Sequence, residues 1–187
     1  LDATTNNEYE ETWDKLVLSP GAAPLRPPLP GVNGSRIYTL RNIPDTDAIR
    51  KAVDSGTVRS ATVVGGGFIG IEMAENLKHR GIDVTLVEML PQVMAPLDGE
   101  MAAIVHQHLK LKGVHLALGD GVAAFEEKAG RVVTTLASGQ NIESDIVILA
   151  IGVKPEIRLA LEAGLETGRG IVVNSRMQTS DPDIYAV

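Results

Sequence analysis

Three glycines, Gly65, Gly67 and Gly70, follow one another in G-x-G-x-x-G spacing, and an acid, Glu88, lies 18 residues after the last of them. In this spacing the first glycine permits a sharp turn, the second leaves the backbone open to a pyrophosphate, and the third lets a helix pack closely on a sheet. N–H groups at the helix start would face the phosphates, and the helix dipole adds to the attraction. A carboxylate at Glu88 would accept hydrogen bonds from an adenosine ribose. The pattern predicts a dinucleotide site.

The segments around the glycines have the order of elements that this motif requires. Residues 61–64 form a short apolar run that is typical of a buried strand, and residues 84–87 form a second one that leads to Glu88. Between them, residues 71–80 have the polar and apolar sides of an amphipathic helix, which Gly81 ends. The alternative interpretation is an ordinary βαβ unit with a Gly-rich turn and a solvated Glu88.

Three further segments have helical patterns, and they are residues 44–53, 98–111 and 157–163. In the first, Asp45 or Thr46 is the expected N-cap. In the second, the expected apolar side consists of Met101, Ile104, Val105, Leu109 and Leu111.

The remaining predicted strands are residues 13–18, 36–41, 114–118, 122–127, 131–136, 143–149, 170–174 and 184–187. Those between 122 and 149 have no helix between them, which predicts an antiparallel meander. Residues 145–151 are almost wholly apolar, as expected for a central strand of the main sheet. The sequence therefore predicts an α/β fold in which a doubly wound parallel sheet carries an antiparallel β-meander.

Composition restricts the classes of function. The chain has 187 residues with 44% hydrophobic content, and its net charge of −7 argues against nucleic acid as the main partner. No apolar run has the length of a membrane span and no signal peptide is visible, so we expect a cytoplasmic protein. The absence of cysteine excludes a disulfide framework or a cysteine nucleophile within these residues. Because the chain starts at Leu1 and stops at Val187 within an apolar run, we expect a piece of a longer protein.

The histidines do not indicate a metal site. His106 and His108 are two residues apart on a predicted helix and do not share a face. His79 and His115 are expected to be surface or strand histidines. No Ser-His-Asp or paired-carboxylate arrangement is supported either.

Five segments together resemble one family, and they are residues 12–24 (TWDKLVLSPGAAP), 40–49 (LRNIPDTDAI), 65–72 (GGGFIGIE, followed by LVE), 148–156 (ILAIGVKPE) and 179–187 (TSDPDIYAV). The family is that of the pyridine nucleotide–disulfide oxidoreductases, which use FAD. The segment LRNIPDTDAI is similar to the branch that contains coenzyme A disulfide reductase, NADH oxidase, NADH peroxidase and persulfide reductase. The resemblance implies a Rossmann-like fold of the FAD/NAD(P)-binding domain type.

The resemblance also implies a domain organisation. Residues 1–34 would be a remnant of an FAD-domain segment with a proline-rich connector, residues 35–154 an NAD(H)-binding domain, and residues 155–187 a return into the FAD domain. The FAD-binding glycine motif, a redox cysteine and a C-terminal domain that forms a homodimer would belong to the longer protein. Ser19-Pro20-Gly21 stands where the family usually has Ala-Thr-Gly, which puts local flavin contacts in doubt because proline cannot donate a backbone hydrogen bond.

Residues of the glycine turn receive roles from the same resemblance. It implies that Gly65, Gly67, Phe68, Ile69 and Gly70 cradle the pyrophosphate. It further implies that Phe68 covers the flavin and moves away when the nicotinamide enters. The alternative for Phe68 is a core phenylalanine that anchors the helix start.

Three residues outside the turn are also implicated. Glu72, expected on the first helical turn, would bond the nicotinamide amide; otherwise it is an acid that is favourable near a helix N-terminus. Gly152 would let the backbone approach the cofactor, or it is a strand-exit turn. Glu88 favours NAD(H) over NADP(H), since a carboxylate repels a 2′-phosphate and no arginine or lysine occurs in residues 89–94. No catalytic residue beyond the gate and anchor roles of Phe68 and Glu72 is expected within the chain.

The function that the resemblance implies is hydride transfer from NADH to FAD, for reduction of a CoA-type disulfide or persulfide, or of peroxide or oxygen. The partners would be NADH and such a small molecule. A first alternative is a flavin-dependent NADH reductase for a ferredoxin or rubredoxin partner. A second is a non-enzymatic NAD-sensing module.

Overall fold

The computed structural model describes residues 4–187, which divide into two compact units. The larger is Pro24–Val153, and the smaller combines the described residues up to Ala23 with Lys154–Val187. The assignment of residues 1–34, 35–154 and 155–187 to FAD-type and NAD-type segments stays a prediction.

The secondary structure, in chain order, is β1 (Leu16–Leu18), β2 (Ala22–Pro24), β3 (Ile37–Thr39), α1 (Ile43–Asp54), β4 (Ser60–Val64), α2 (Phe68–His79), β5 (Asp83–Glu88), α3 (Gly99–Leu111), β6 (Val114–Leu118), β7 (Val122–Lys128), β8 (Arg131–Leu136), β9 (Asn141–Ser144), β10 (Ile146–Leu149), β11 (Val153–Pro155), α4 (Arg158–Glu162) and β12 (Ile184–Ala186).

A five-stranded parallel sheet in the order β3-β10-β4-β5-β6 forms the centre of the larger unit. All four residues of β10 are buried, which explains its wholly apolar sequence, and four of the five residues of β4 are buried as well. Helices α1, α2 and α3 contribute Val53, Leu77 and Leu109 to a single core cluster with Val63 and Ile148 of the sheet. The three helices therefore cover one face of the sheet.

The other face is covered by a three-stranded antiparallel meander in the order β7-β8-β9. Phe125 and Val132 of the meander share a second core cluster with Val64, Val147 and Leu149. Alternate residues of β10 thus enter different cores, as strand geometry requires. The predicted combination of an α/β fold, a parallel sheet and an antiparallel meander is confirmed.

The segment 143–149, expected as one strand, is two strands with different partners. β9 pairs with β8 in the meander, whereas β10 pairs with β3 and β4 in the parallel sheet. The break is at Asp145, whose carboxylate accepts hydrogen bonds from the N–H groups of Arg59 and Ser60, both at 2.8 Å. Asp145 thus bonds the start of β4, and the pairing with the meander ends at this residue.

Two helices begin earlier than expected. α1 begins at Ile43 and is capped by Asn42, whose side chain accepts from the Asp45 N–H while the Asp45 carboxylate accepts from the Asn42 N–H. The prediction of Asp45 or Thr46 as the N-cap was therefore wrong, because Asn42 is the N-cap and Asp45 is the N3 residue of the capping box. α2 begins at Phe68 rather than at residue 71.

The apolar side expected for α3 was wrong at three positions. Met101, Ile104 and Leu111 are exposed, whereas the buried residues of the helix are Ala102 and Leu109. The helix packs on the sheet through a narrow stripe, so the three larger apolar side chains lie on another face.

Several predicted strands are shorter or absent. Only Leu16–Leu18 of segment 13–18 and Ile37–Thr39 of segment 36–41 are strands. Segment 170–174 contributes a single bridge, from Ile171 to Thr167, rather than a strand.

The smaller unit has its own parallel pair, in which Leu16 of β1 lies opposite Ile184 of β12. Ala160 of α4 packs with Leu165 and Ile184 in a small core. Within the part of the chain that the structure describes, no helix is long and apolar enough to cross a membrane.

The carboxyl of Asp145 has a shifted pKa. Burial alone would raise the pKa of Asp145, but hydrogen bonds from the backbone of Arg59 and from the backbone and hydroxyl of Ser60 outweigh it and lower the pKa. The positive charge of Arg131 acts in the same direction. The ionised carboxylate therefore stabilises the fold above the pKa of the unfolded chain, about 3.9, and this contribution is lost as the pH falls through the lower folded value.

We expect Asp145→Asn to lower the free energy of unfolding by about 2 kcal/mol near neutral pH, because charge-assisted hydrogen bonds are lost. Urea unfolding from pH 7 to pH 3 should show the difference from the unmodified protein shrinking below about pH 4. Asp47→Asn, at an exposed position of α1, is the control and should leave stability almost unchanged. A difference that persists unchanged at pH 3 would contradict the electrostatic origin.

Candidate functional site

A groove of about 760 Å³ lies at the carboxyl ends of β4, β5 and β10. It is lined by residues 64–69, 87–90, 94–96, 121–122 and 149–152, with Pro27, Leu29 and Phe125. Crevices at this edge are where open α/β sheets bind ligands. Among the lining residues, all within the described larger unit, Glu88 is the only charged one.

The glycine turn, residues 65–70, is packed too tightly for side chains at two positions. Gly65 has a φ of +109°, and a Cβ there would lie 2.3 Å from the carbonyl oxygen of Ala150. A Cβ on Gly70 would lie 1.9 Å from the carbonyl oxygen of Gly65. The turn is therefore pressed against the end of β10, and α2 against the turn.

Gly67 has a different environment from its two neighbours in the motif. It is the N-cap of α2, with an ordinary φ of −79° and no side-chain hydrogen bond that caps the helix. A Cβ on Gly67 would meet no atom within 4 Å. Helix geometry leaves the N–H groups of the first turn without intrahelical partners. An open backbone with free donors is what a phosphate group requires, so the turn fits the pyrophosphate of a dinucleotide.

Glu88 lies opposite the turn, and backbone donors hold its carboxylate. Its Oε2 accepts from the Gly66 N–H at 2.6 Å, and its Oε1 accepts from the Leu90 N–H at 2.8 Å. A carboxylate has about four acceptor sites, so two remain for a ligand. The carboxylate is thus oriented and retains capacity for ribose hydroxyls.

Phe68 and Ile69 line the groove from the first turn of α2. The side chain of Phe68 is 66% exposed and that of Ile69 39%. The alternative of a core phenylalanine is therefore wrong. The aromatic ring of Phe68 therefore lies exposed in the groove lining rather than packed in a core.

Gly152 lies in the groove lining, whereas Glu72 does not. Because α2 begins at Phe68, Glu72 is in the second turn, and its expected place on the first turn was wrong. It is exposed and is not among the groove-lining residues. Gly152 does line the groove and has a φ of +112°, a conformation that favours glycine.

Several residues in and around the site were not predicted from the sequence. The Gly66 N–H donates to Glu88, and a Cβ on Gly66 would lie 2.9 Å from Val93. The sequence signal for Gly66 was its place in a run of three glycines. His106 accepts a hydrogen bond from the Val93 N–H at 3.1 Å. Arg26 bonds the carbonyl of Val32 and so folds the proline-rich connector that brings Pro27 to the groove. Hydrophobic periodicity gives no information on these side-chain and backbone hydrogen bonds. In the described part of the chain, no cluster of three His, Cys, Asp or Glu side chains could hold a metal ion.

The family model of pyridine nucleotide-disulphide oxidoreductases matches residues 1–187. The chain belongs to this family. Its members are FAD-dependent NAD(P)H oxidoreductases. The suspected family and the expected enzyme class are confirmed.

Two curated relatives are an NADH oxidase from Methanocaldococcus jannaschii and a ferredoxin–NAD(+) reductase component from Photorhabdus laumondii. The first is 42% identical over 183 residues, which are 97% of this chain and 41% of the relative. The second is 37% identical over 178 residues, 93% of this chain and 44% of the relative. The chain thus spans less than half the length of these relatives.

Among solved structures, reduced Bacillus anthracis CoADR-RHD is similar at a TM-score of 0.93 and 55% identity, over 100% of this chain and 34% of that one. The NAD-dependent persulfide reductase from A. fulgidus is similar at a TM-score of 0.87 and 38% identity, over 93% and 32%. The water-forming NADH oxidase from Lactobacillus brevis, bound to NADH, has a TM-score of 0.87 and 32% identity over 99% and 41%. An engineered mutant of that oxidase, bound to NADPH, has a TM-score of 0.88 and 30% identity over 99% and 41%. The predicted Rossmann-like, FAD/NAD(P)-binding type of fold is confirmed.

The different packing of the motif glycines predicts different costs of substitution. Gly70→Ala should lower the free energy of unfolding by roughly 2–3 kcal/mol, because its methyl group overlaps the carbonyl of Gly65. Gly67→Ala should cost at most about 1 kcal/mol, from the weaker N-cap preference of alanine. Gly168→Ala, where a Cβ has no neighbour within 4 Å, is the control. Urea unfolding measures all three, and equal costs at positions 67 and 70 would contradict the packing argument.

Proposed function

We propose that the groove is the NAD(H) site of an FAD-dependent reductase. The observation that carries the proposal is the placement of an open helix N-terminus at Gly67 and an oriented carboxylate at Glu88 in the same groove. One feature suits the pyrophosphate of a dinucleotide and the other suits its adenosine ribose. When bound, NADH supplies a hydride that FAD accepts.

Each residue of the site has a role in binding and orientation. The N–H groups of the first turn of α2 bind the pyrophosphate, since the open side of Gly67 lets it approach. Glu88 accepts hydrogen bonds from the adenosine ribose. Phe68 covers the flavin and moves away when the nicotinamide enters. Glu72, exposed one turn further along α2, accepts a hydrogen bond from the nicotinamide amide, and Gly152 leaves room for the ligand at the end of β10.

The preference for NADH over NADPH is part of the proposal. A 2′-phosphate would be placed beside the carboxylate of Glu88, and the described residues that line the groove include no lysine, arginine or histidine to neutralise it. The Lactobacillus brevis pair supports this reasoning. That oxidase was solved with NADH, and the mutant solved with NADPH has lost an aspartate and gained two arginines among its five substitutions.

For the electron acceptor we favour a CoA-type disulfide or persulfide, with peroxide or oxygen as the other acceptors of the same branch. Support comes from the 55% identity to the Bacillus anthracis CoADR-RHD structure and from the A. fulgidus persulfide reductase. The similarity to the Methanocaldococcus jannaschii NADH oxidase supports an oxygen species. Assembly of the intact protein as a homodimer belongs to the same proposal.

Reduction of a ferredoxin or rubredoxin partner is the second candidate. It is favoured by the similarity to the Photorhabdus laumondii ferredoxin–NAD(+) reductase component, at 37% identity. The 55% identity to the CoADR-RHD structure places it after the reaction with a CoA-type disulfide. A non-enzymatic NAD sensor has no such support among relatives that are named oxidases and reductases.

The test is NADH oxidation by the intact protein with CoA disulfide, CoA persulfide, peroxide, oxygen and reducible ferredoxin or rubredoxin compared side by side. We expect a flavin absorption spectrum and the highest kcat/KM with a CoA disulfide or persulfide. If a ferredoxin or rubredoxin were the best acceptor, the second candidate function would replace the first. A protein without flavin or NADH oxidation would overturn the proposal.

The preference for NADH should be reversible by two neighbouring substitutions. Glu88→Ala with Met89→Arg removes the repelling carboxylate and adds a guanidinium beside it, so the Kd for NADH should rise and that for NADPH fall, each by about tenfold or more. Glu100→Ala with Met101→Arg changes an identical, exposed Glu-Met pair on α3 and is the matched control. Calorimetric titration with both nucleotides measures the change. Tighter binding of NADPH than NADH to the unmodified protein would refute the role of Glu88.

A further inference from the structure

The loop between β5 and α3 (residues 89–98, the β5–α3 loop) forms one wall of the groove. Met89, Leu90, Met94, Ala95 and Pro96 of this loop line the groove next to Glu88. The loop contains no helix or strand of its own. Its position therefore depends on individual contacts with the elements around it.

Two backbone contacts join this loop to the nucleotide site. The Leu90 N–H donates to the Glu88 carboxylate, and the Met94 N–H donates to the carbonyl of Gly66 at 2.8 Å. Between them, Val93 is fully buried. A Cβ built on Gly66 would lie 2.9 Å from the side chain of Val93. Gly66 in turn donates to Glu88. A displacement of Val93 would thus be transmitted to both the glycine turn and the acid.

Val93 is held from the opposite side by a histidine of α3. The Nε2 atom of His106 accepts a hydrogen bond from the Val93 N–H at 3.1 Å. An imidazole nitrogen can accept only when it carries no proton, so the bond requires a neutral ring with its proton on Nδ1. His106 is half-buried and does not itself line the groove.

We propose that His106, as the neutral Nδ1-H tautomer, is a positioning residue for the NADH site. By anchoring Val93 it holds the β5–α3 loop against Gly66, and the loop then keeps the Leu90 donor on Glu88. The orientation of Glu88, at the end of β5, would therefore depend on a side chain of helix α3. The inference rests on the proposed function of the groove.

Three substitutions distinguish the effect of the hydrogen-bond acceptor from the effect of the volume of the imidazole ring. His106→Gln keeps an acceptor at nearly the reach of Nε2, His106→Asn places its acceptor too close to the helix, and His106→Leu has none. His108→Leu is the control, because His108 is exposed on the same helix two residues away.

The first measurement is NADH titration of these variants by calorimetry. We expect the Kd for NADH to rise about tenfold in the Leu and Asn variants, and to stay within about threefold of the unmodified protein in the Gln and His108→Leu variants. Equal NADH affinity in all variants would overturn the positioning role while leaving the proposed function intact. Equal weakening in the Gln and Leu variants would also overturn it, since it would show that ring volume rather than the acceptor matters.

The second measurement does not depend on NADH. Nitrogen-15 spectra of the imidazole should show a protonated Nδ1 and an unprotonated Nε2, and amide exchange at Val93 should be about tenfold faster in the Leu variant than in the Gln variant. A protonated Nε2, or exchange at Val93 that is unaffected, would overturn the inference directly. Absence of NADH binding by the unmodified protein, with these spectra as expected, would instead overturn the proposed function.

Discussion

The contact between the glycine turn and the end of β10 is the constraint on which the site depends. Gly65 lies against the carbonyl of Ala150, and Gly70 lies against the carbonyl of Gly65, each without room for a methyl group. Together these contacts fix the start of α2 directly above the strand ends. Because the direction of a helix determines where its first N–H groups point, this packing also determines where an anion can be bound.

Glu88 illustrates how the fold prepares a side chain for a ligand. Glu88 is the last residue of β5, and its carboxylate accepts hydrogen bonds from the N–H groups of Gly66 and Leu90. The glycine turn and the β5–α3 loop therefore both orient it. Backbone donors hold it without neutralising its charge. An acid that is oriented before the ligand arrives loses little side-chain entropy on binding, which is a condition for discrimination between closely related nucleotides.

Local patterns were enough to predict the parts of the site that lie close together in the chain. The spacing of Gly65, Gly67 and Gly70 and the strand that ends at Glu88 predicted the groove, and apolar runs predicted β4 and β10. The contribution of His106 could not be predicted, because it bonds a loop 13 residues away through tertiary packing. The same limit explains segment 143–149, which was predicted as one strand although its pairing changes at Asp145 from the meander to the parallel sheet. Hydrophobic periodicity reports burial, not the identity of the neighbour.

The charge distribution of the groove connects this geometry with selectivity. A protein with a net charge of −7 does not attract a dinucleotide by its overall field, and the one charged side chain among the described groove residues, Glu88, is negative rather than positive. In the proposed NAD(H) site, attraction would come from backbone dipoles at the start of α2, which act over short distances and do not distinguish one dinucleotide from another. Discrimination between NADH and NADPH would then be left to Glu88, the one charged side chain among the described groove residues, and to the loop beside it. A groove of this kind can change its cofactor through one or two side chains at the end of β5, since the phosphate-binding part consists of main chain that few substitutions can alter.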